Sequence, residues 1–131
     1  MDMVSETQSK LKANVLSRNC LSNSVLEMVA GKWRVLILYA LRNGKRRYSE
    51  LQYTVEGISQ KMLTQTLREL ERNGLVKRTS YPVVPPHTDY ELTELGTNLE
   101  SIIYRLGGWA EENIEAVFAA RRAYDERAAE G

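Results

Sequence analysis

One cysteine, one histidine, one phenylalanine and three prolines are all that the 131 residues contain of those types. Each scarcity excludes something. Cys20, having no partner in the chain, cannot close an internal disulfide, which fits a reducing compartment. Cys20 and the single histidine, His87, lie far apart in sequence, poor material for a metal site or a Cys/His nucleophile pair. No apolar run approaches the roughly 20 residues that a membrane-crossing helix needs. The longest, Val35 to Leu41, is short and follows Lys32 and Arg34. Met1 to Leu11 is polar, with no basic stretch leading into an apolar one, so no export signal is expected. Ala30-Gly31-Lys32 is not a phosphate loop: Leu26 stands where the first glycine belongs, and Trp33 replaces the Ser/Thr. The expectation is a cytoplasmic protein that is not an enzyme, with no cofactor, no metal and no membrane partner.

What is present is ordinary in bulk and uneven in detail. A chain that is 43% hydrophobic and 27% charged suits one soluble globular domain. The net charge of +1 hides a division. Residues 1–41 carry five Lys/Arg against three Asp/Glu, residues 42–90 nine against five, and residues 91–131 four against nine. A basic middle points to a polyanion, and an acidic last third to some other task.

Along the chain, Ser5 to Leu16 is a candidate short helix with few apolar positions. Ser22 or Asn23 can cap a helix carrying Val25, Leu26, Met28 and Val29. From Lys32 to Arg42, Trp33, Leu36, Ile37, Ala40 and Leu41 recur at helical spacing, and Asn43-Gly44 stops the run. After the basic strip Lys45-Arg46-Arg47, Ser49 with Gln52 three residues on has the form of a capping box opening a short helix through Leu51 and Val55. Gly57 closes it, Ile58 fills the turn, and Ser59 caps a helix from Gln60 to Asn73 whose inner face is Leu63, Leu67 and Leu70. Gly74 suits the residue after that helix, with Leu75 folding back on its last turn. Two helices joined by a short Gly-containing turn read as a helix-turn-helix.

Leu75 to Tyr81 and Thr88 to Leu92 read as antiparallel strands, with all three prolines gathered in the tip Pro82 to Pro86, where missing N–H donors are tolerated. A helix-turn-helix followed by such a hairpin is a winged helix. The fold expected is therefore mainly α with a small β-hairpin wing (α+β), dimerising through terminal helices. Its parts are an N-terminal helical extension (1–19), a winged helix-turn-helix domain (20–118) and a C-terminal tail (119–131). Within the domain lie the helix-turn-helix at 49–73, the wing at 75–92 and a dimerisation helix at 93–118. From Thr93 the chain is helical to about Arg127, bent or broken at Gly107-Gly108. Leu95, Leu99, Ile102, Leu106 and Trp109 alternate spacings of four and three, a seam suited to a partner helix.

The helix from Gln60 to Asn73 carries an outer stripe of Lys61, Thr64, Gln65, Arg68 and Arg72. Gln pairs with the adenine N6/N7 edge and Arg or Lys with guanine O6/N7, in a major groove that admits one helix. Ser59 and Gln60 offer N–H groups to a phosphate at the helix start. Arg46, Arg47, Lys77 and Arg78 are candidates for backbone phosphates, and His87, in the wing, for a minor-groove edge. Such a stripe alone is what any solvated amphipathic helix shows; the wing and the basic surroundings favour DNA. The acidic run Glu111, Glu112, Glu115 reads most simply as a solvated face.

Several blocks also resemble a known family. They are Cys20, Val29-Ala30-Gly31-Lys32-Trp33, Tyr48-Ser49-Glu50-Leu51, Gly57-Ile58-Ser59-Gln60-Lys61-Met62-Leu63-Thr64, Leu67-Arg68-Glu69-Leu70, Gly74-Leu75-Val76, Tyr81-Pro82 with Pro85-Pro86, and Tyr90-Glu91-Leu92-Thr93. In this order, over about residues 20–118, they are similar to the HxlR-type regulators. The resemblance implies a dimeric winged-helix DNA binder, often with an N-terminal cysteine that senses oxidants or electrophiles. The family's cysteine is usually followed by proline; here Leu21 follows Cys20. From its own surroundings Cys20 has two readings. It is a small inert hydrophobe, or, beside Arg18 and just ahead of a helix start, a thiolate that meets a thiol-reactive effector.

The function expected is sequence-specific transcription regulation by a homodimer on double-stranded DNA with an inverted-repeat operator, redox- or electrophile-responsive through Cys20. Two other readings remain: a regulator answering a small molecule without thiol chemistry, and a winged-helix module that binds protein instead of DNA.

Overall fold

The computed structural model describes residues 25–27 and 30–131. The expected helix at 5–16, Cys20, the cap at Ser22 or Asn23, and Met28 and Val29 lie outside the described residues; Val25 to Glu27 are helical.

Helix α1 (Lys32–Ala40) enters the core with Ile37 and Leu38, and Leu41 follows at its C-cap, all at most 1% exposed. Trp33 and Ala40 pack against that core, as their spacing predicts, whereas Leu36 is left exposed. Leu38 takes its place because α1 contacts both α3 and α4, so its buried stripe is wider than a single helix-helix contact would give.

A short strand β1 (Arg46–Arg47), not expected from the sequence, precedes α2 (Tyr48–Thr54). It corrects the start of α2. The cap is Arg47, whose backbone N–H donates to Glu50 Oε1 at 3.2 Å, rather than Ser49 with Gln52. Pairing holds the chain extended through Arg47, so the helix begins at the next residue. Gly57 takes φ +87°, a left-handed turn that a side chain would strain. Ser59 then caps α3 (Gln60–Arg72), its Oγ accepting from Met62 N at 3.1 Å. Leu63, Thr66, Leu67 and Leu70 form the buried side of α3.

The end of α3 is a complete Schellman motif. Gly74 N–H donates to Glu71 O at 3.0 Å and Leu75 N–H to Leu70 O at 2.9 Å, with Gly74 at φ +77°. Strands β2 (Val76–Tyr81) and β3 (His87–Leu92) pair antiparallel from Val76↔Leu92 to Tyr81↔His87. β1 adds to the other edge of β3 through Arg46↔Tyr90 and Arg47↔Asp89, giving the order β1-β3-β2. Tyr90, on the central strand, is buried.

Helix α4 (Glu94–Glu130) starts on the turn that ends α3. Thr93 Oγ1 donates to Gly74 O at 2.6 Å and accepts from Gly96 N at 3.0 Å. A Cβ on Gly96 would overlap the Leu75 carbonyl oxygen, so only glycine permits this approach. Leu99 and Ile103 pack on the core. Arg42, just past α1, lies 3.3 Å from the buried Glu100 carboxylate and stacks 3.4 Å over the Tyr104 ring, clamping the two helices together. Past Tyr104, α4 is mostly exposed, and residues 105–130 extend about 40 Å at the usual rise.

Of the bend or break expected at Gly107-Gly108, the break does not occur: α4 is helical through both glycines. Each costs a helix only about 1 kcal/mol relative to alanine, and the turns on either side outweigh that. Among the described residues, no helix is long and apolar enough to cross a membrane.

Candidate nucleic-acid interface

The face of α3 opposite its leucines is divided into a free centre and two held shoulders. Lys61, Gln65, Arg68 and Arg72 fall within about one sixth of a turn of each other at 100° per residue, and all four are exposed. These are four of the five stripe residues expected from the sequence. The fifth, Thr64, differs: it is half-buried, and its Oγ1 lies 2.7 Å from the Tyr48 hydroxyl. Tyr48 also donates to Gln60 O at 3.0 Å, which leaves Thr64 as the donor to Tyr48. Thr64 is therefore engaged with α2 rather than free to read a base edge.

On the other shoulder, Glu69 is held by Arg34 of α1. Arg34 Nε donates to Glu69 Oε2 at 2.9 Å, and Nη2 lies 2.7 Å from the same oxygen. Neither Tyr48 nor Arg34 was a candidate from the sequence, since both act through contacts distant along the chain. The hint available was residual: Glu69 interrupts an otherwise cationic or neutral face.

Around this helix the other candidates are unequally free. The Ser59 hydroxyl already accepts the cap bond, and Gln60 is exposed beside it. Arg47, Lys77 and Arg78 are exposed. Arg78 shares a shallow depression with Thr64, Arg68, Glu71 and Tyr90, so the wing's first strand adjoins the outer face of α3. Arg46 is partly committed elsewhere, its Nε donating to Ala40 O at 2.9 Å, where it satisfies a carbonyl at the end of α1. His87 stacks on Tyr81 at 4.7 Å between ring centroids, stiffening the base of the wing tip.

The apolar seam on α4 is also divided. Leu95, Ile102, Leu106 and Trp109 are each more than half exposed, while Leu99 packs into its own subunit's core. Ile114 and Phe118 are also exposed, but they face about a quarter turn or more away from that seam.

A helix-turn-helix whose second helix offers a basic face, flanked by a three-stranded wing, defines a winged helix, and the family model for the HxlR-like helix-turn-helix matches residues 28–118. The chain belongs to the HxlR family. It is 44% identical over 129 residues to YtfH of Escherichia coli, an uncharacterized HTH-type transcriptional regulator, covering 98% of this chain and all of that one. The solved structure of YtfH from Salmonella typhimurium superposes with a TM-score of 0.77 at 45% identity, covering 83% of this chain and 97% of the other. The redox regulator HypR in its oxidized form is similar at a TM-score of 0.66 and 40% identity, over 72% of this chain and 97% of that one. As an HxlR-family member the chain is a DNA-binding transcription regulator and not an enzyme.

Proposed function

We propose that this regulator binds an inverted-repeat operator as a homodimer in the cytoplasm, with α3 in the major groove. Lys61, Gln65 and Arg68 would read base edges, with Arg72 and the N–H groups at Ser59 and Gln60 on phosphates. The observation that carries this reading is the free stripe on α3: four exposed polar or cationic side chains between two shoulders tied back to the protein. Arg47, Lys77 and Arg78 would hold the backbone on either side, Arg46 less so, and His87 would follow the wing toward a minor groove.

The homodimer is supported by α4. Its exposed Leu95, Ile102, Leu106 and Trp109 form a surface that a second copy can bury by a two-fold contact. Beside it, Val35, Leu36 and Tyr39 of α1 and Ile103 and Tyr104 of α4 line a cleft of about 540 Å³ that the same contact would help to close.

The paired variant Lys61→Ala/Arg68→Ala tests the reading. It should keep the wild-type circular dichroism and melting temperature and lose operator binding. Undiminished DNA affinity would instead make α3 a protein-binding surface.

Regulation through Cys20 is a second part of the proposal, supported by the likeness to a redox regulator. With one cysteine per chain, oxidation would give a mixed or intersubunit disulfide. Diamide should change operator affinity in wild type and leave Cys20→Ser unaffected; equal responses, or none, would assign the signal to another ligand.

A further inference from the structure

Glu69 stands beside Gln65 on α3, on the surface shared by Lys61, Arg68 and Arg72. A free carboxylate there would face the phosphates of any DNA lying against that surface, a like-charge contact that weakens association. Arg34 removes it from that role. Its guanidinium contacts Glu69 Oε2 through Nε at 2.9 Å and Nη2 at 2.7 Å. The third nitrogen, Nη1, donates to the Glu27 carbonyl at 3.3 Å. One planar side chain thus joins the segment before α1, α1 itself and the outward helix. Gly31 leaves the room: a Cβ there would stand 2.9 Å from Arg34 Nη1.

Arg34 and Glu69 are 28% and 34% exposed, so solvent screens the pair and its contribution to fold stability is small. Its effect is to be sought in DNA binding. We propose that Arg34 is a positioning residue for operator reading, neutralising Glu69 and fixing the rotation of α3 about its axis so that Gln65 and Arg68 meet their base edges. The proposal rests on α3 being the DNA-reading helix. It adds that the reading geometry is set from α1, by a residue outside the helix-turn-helix.

The test measures affinity for a selected operator and for a scrambled duplex with wild type, Arg34→Ala, Arg34→Lys, Arg34→Ala/Glu69→Gln and Gln65→Ala. Arg34→Ala exposes the carboxylate, so binding to both duplexes should weaken by about tenfold, with a further fall in the operator-to-scrambled ratio. Arg34→Lys keeps the charge but makes a point contact instead of a planar one; scrambled DNA should bind as in wild type while the ratio falls. Arg34→Ala/Glu69→Gln removes the carboxylate as well, so affinity for scrambled DNA should return to within about threefold of wild type without recovery of the ratio. A merely structural role would lower the melting temperature and leave the ratio of the folded protein alone.

If Arg34→Ala does not fold, Arg34→Lys carries the test by its ratio. An unchanged ratio in the Arg34 variants, alongside a lost ratio in Gln65→Ala, overturns the role of Arg34 and leaves the reading helix standing. Wild type without preference for any duplex overturns both.

Discussion

Thr93 Oγ1 donates a 2.6 Å hydrogen bond to the carbonyl of Gly74, fastening the first turn of α4 to the last turn of α3. The helix proposed to read DNA and the helix proposed to meet a second copy therefore share one joint. Leu75 N–H closes the end of α3, Leu75 O accepts from Thr93 N at 3.1 Å, and Gly96 rides on that same carbonyl. A change in how two α4 helices pack would be carried to α3 through this turn rather than lost in a flexible linker.

Gly96→Ala tests the joint. The added methyl has no space against Leu75 O, and overpacking of this kind costs about 1–3 kcal/mol. Thr93→Ala removes both the cap and the hydrogen bond to Gly74 O, and should cost about 1–2 kcal/mol. Urea denaturation of both variants measures the difference; equal, negligible losses would mean that α4 starts further from α3.

Phosphate anchoring should be unequal among the four expected arginines and lysines. Arg47→Ala, Lys77→Ala and Arg78→Ala should each flatten the log–log salt dependence of binding by about one unit. Arg46→Ala should flatten it less and cost more in stability, because its guanidinium satisfies the Ala40 carbonyl. Titrations between 50 and 200 mM salt, roughly the range over which such contacts show, check the order. A full unit from Arg46 would place its remaining nitrogens on DNA.

The α4 seam should split into residues that hold the dimer and one that holds the fold. Ile102→Glu and Trp109→Glu should shift sedimentation toward monomer while the monomer stays folded, since both side chains are more than half exposed. Leu99→Ala should instead lower stability by about 1–3 kcal/mol, as expected for a half-buried leucine packed on its own core. Dimers that survive both glutamates would move the contact off this stripe.

Gln65→Ala should cost about 1–3 kcal/mol on the operator and relax preference at one or two base pairs. An equal loss on scrambled DNA, seen by competition binding, would make Gln65 a non-specific contact.

Local pattern made α1, α2, α3 and the wing legible, because leucine spacing, Ser59 and the Gly74-Leu75 stop act within a few residues. What was not legible depends on distant partners. β1 exists only because Arg46 and Arg47 meet Tyr90 and Asp89, and that pairing moved the α2 cap from Ser49 to Arg47. Thr64 looked free until Tyr48 was placed against it, and Leu99 looked like seam until the core reached it. Gly107 and Gly108 read as a bend or break because propensity is local, whereas the helix is sustained by turns on both sides.

Selection of bound duplexes from random DNA by the purified wild-type protein tests the central claim most directly. Two α3 helices related by a dimer axis should enrich an inverted repeat with half-sites about one turn, roughly 34 Å, apart. Enrichment of a single unpaired half-site would contradict the homodimer, and no enrichment at all would contradict reading by α3.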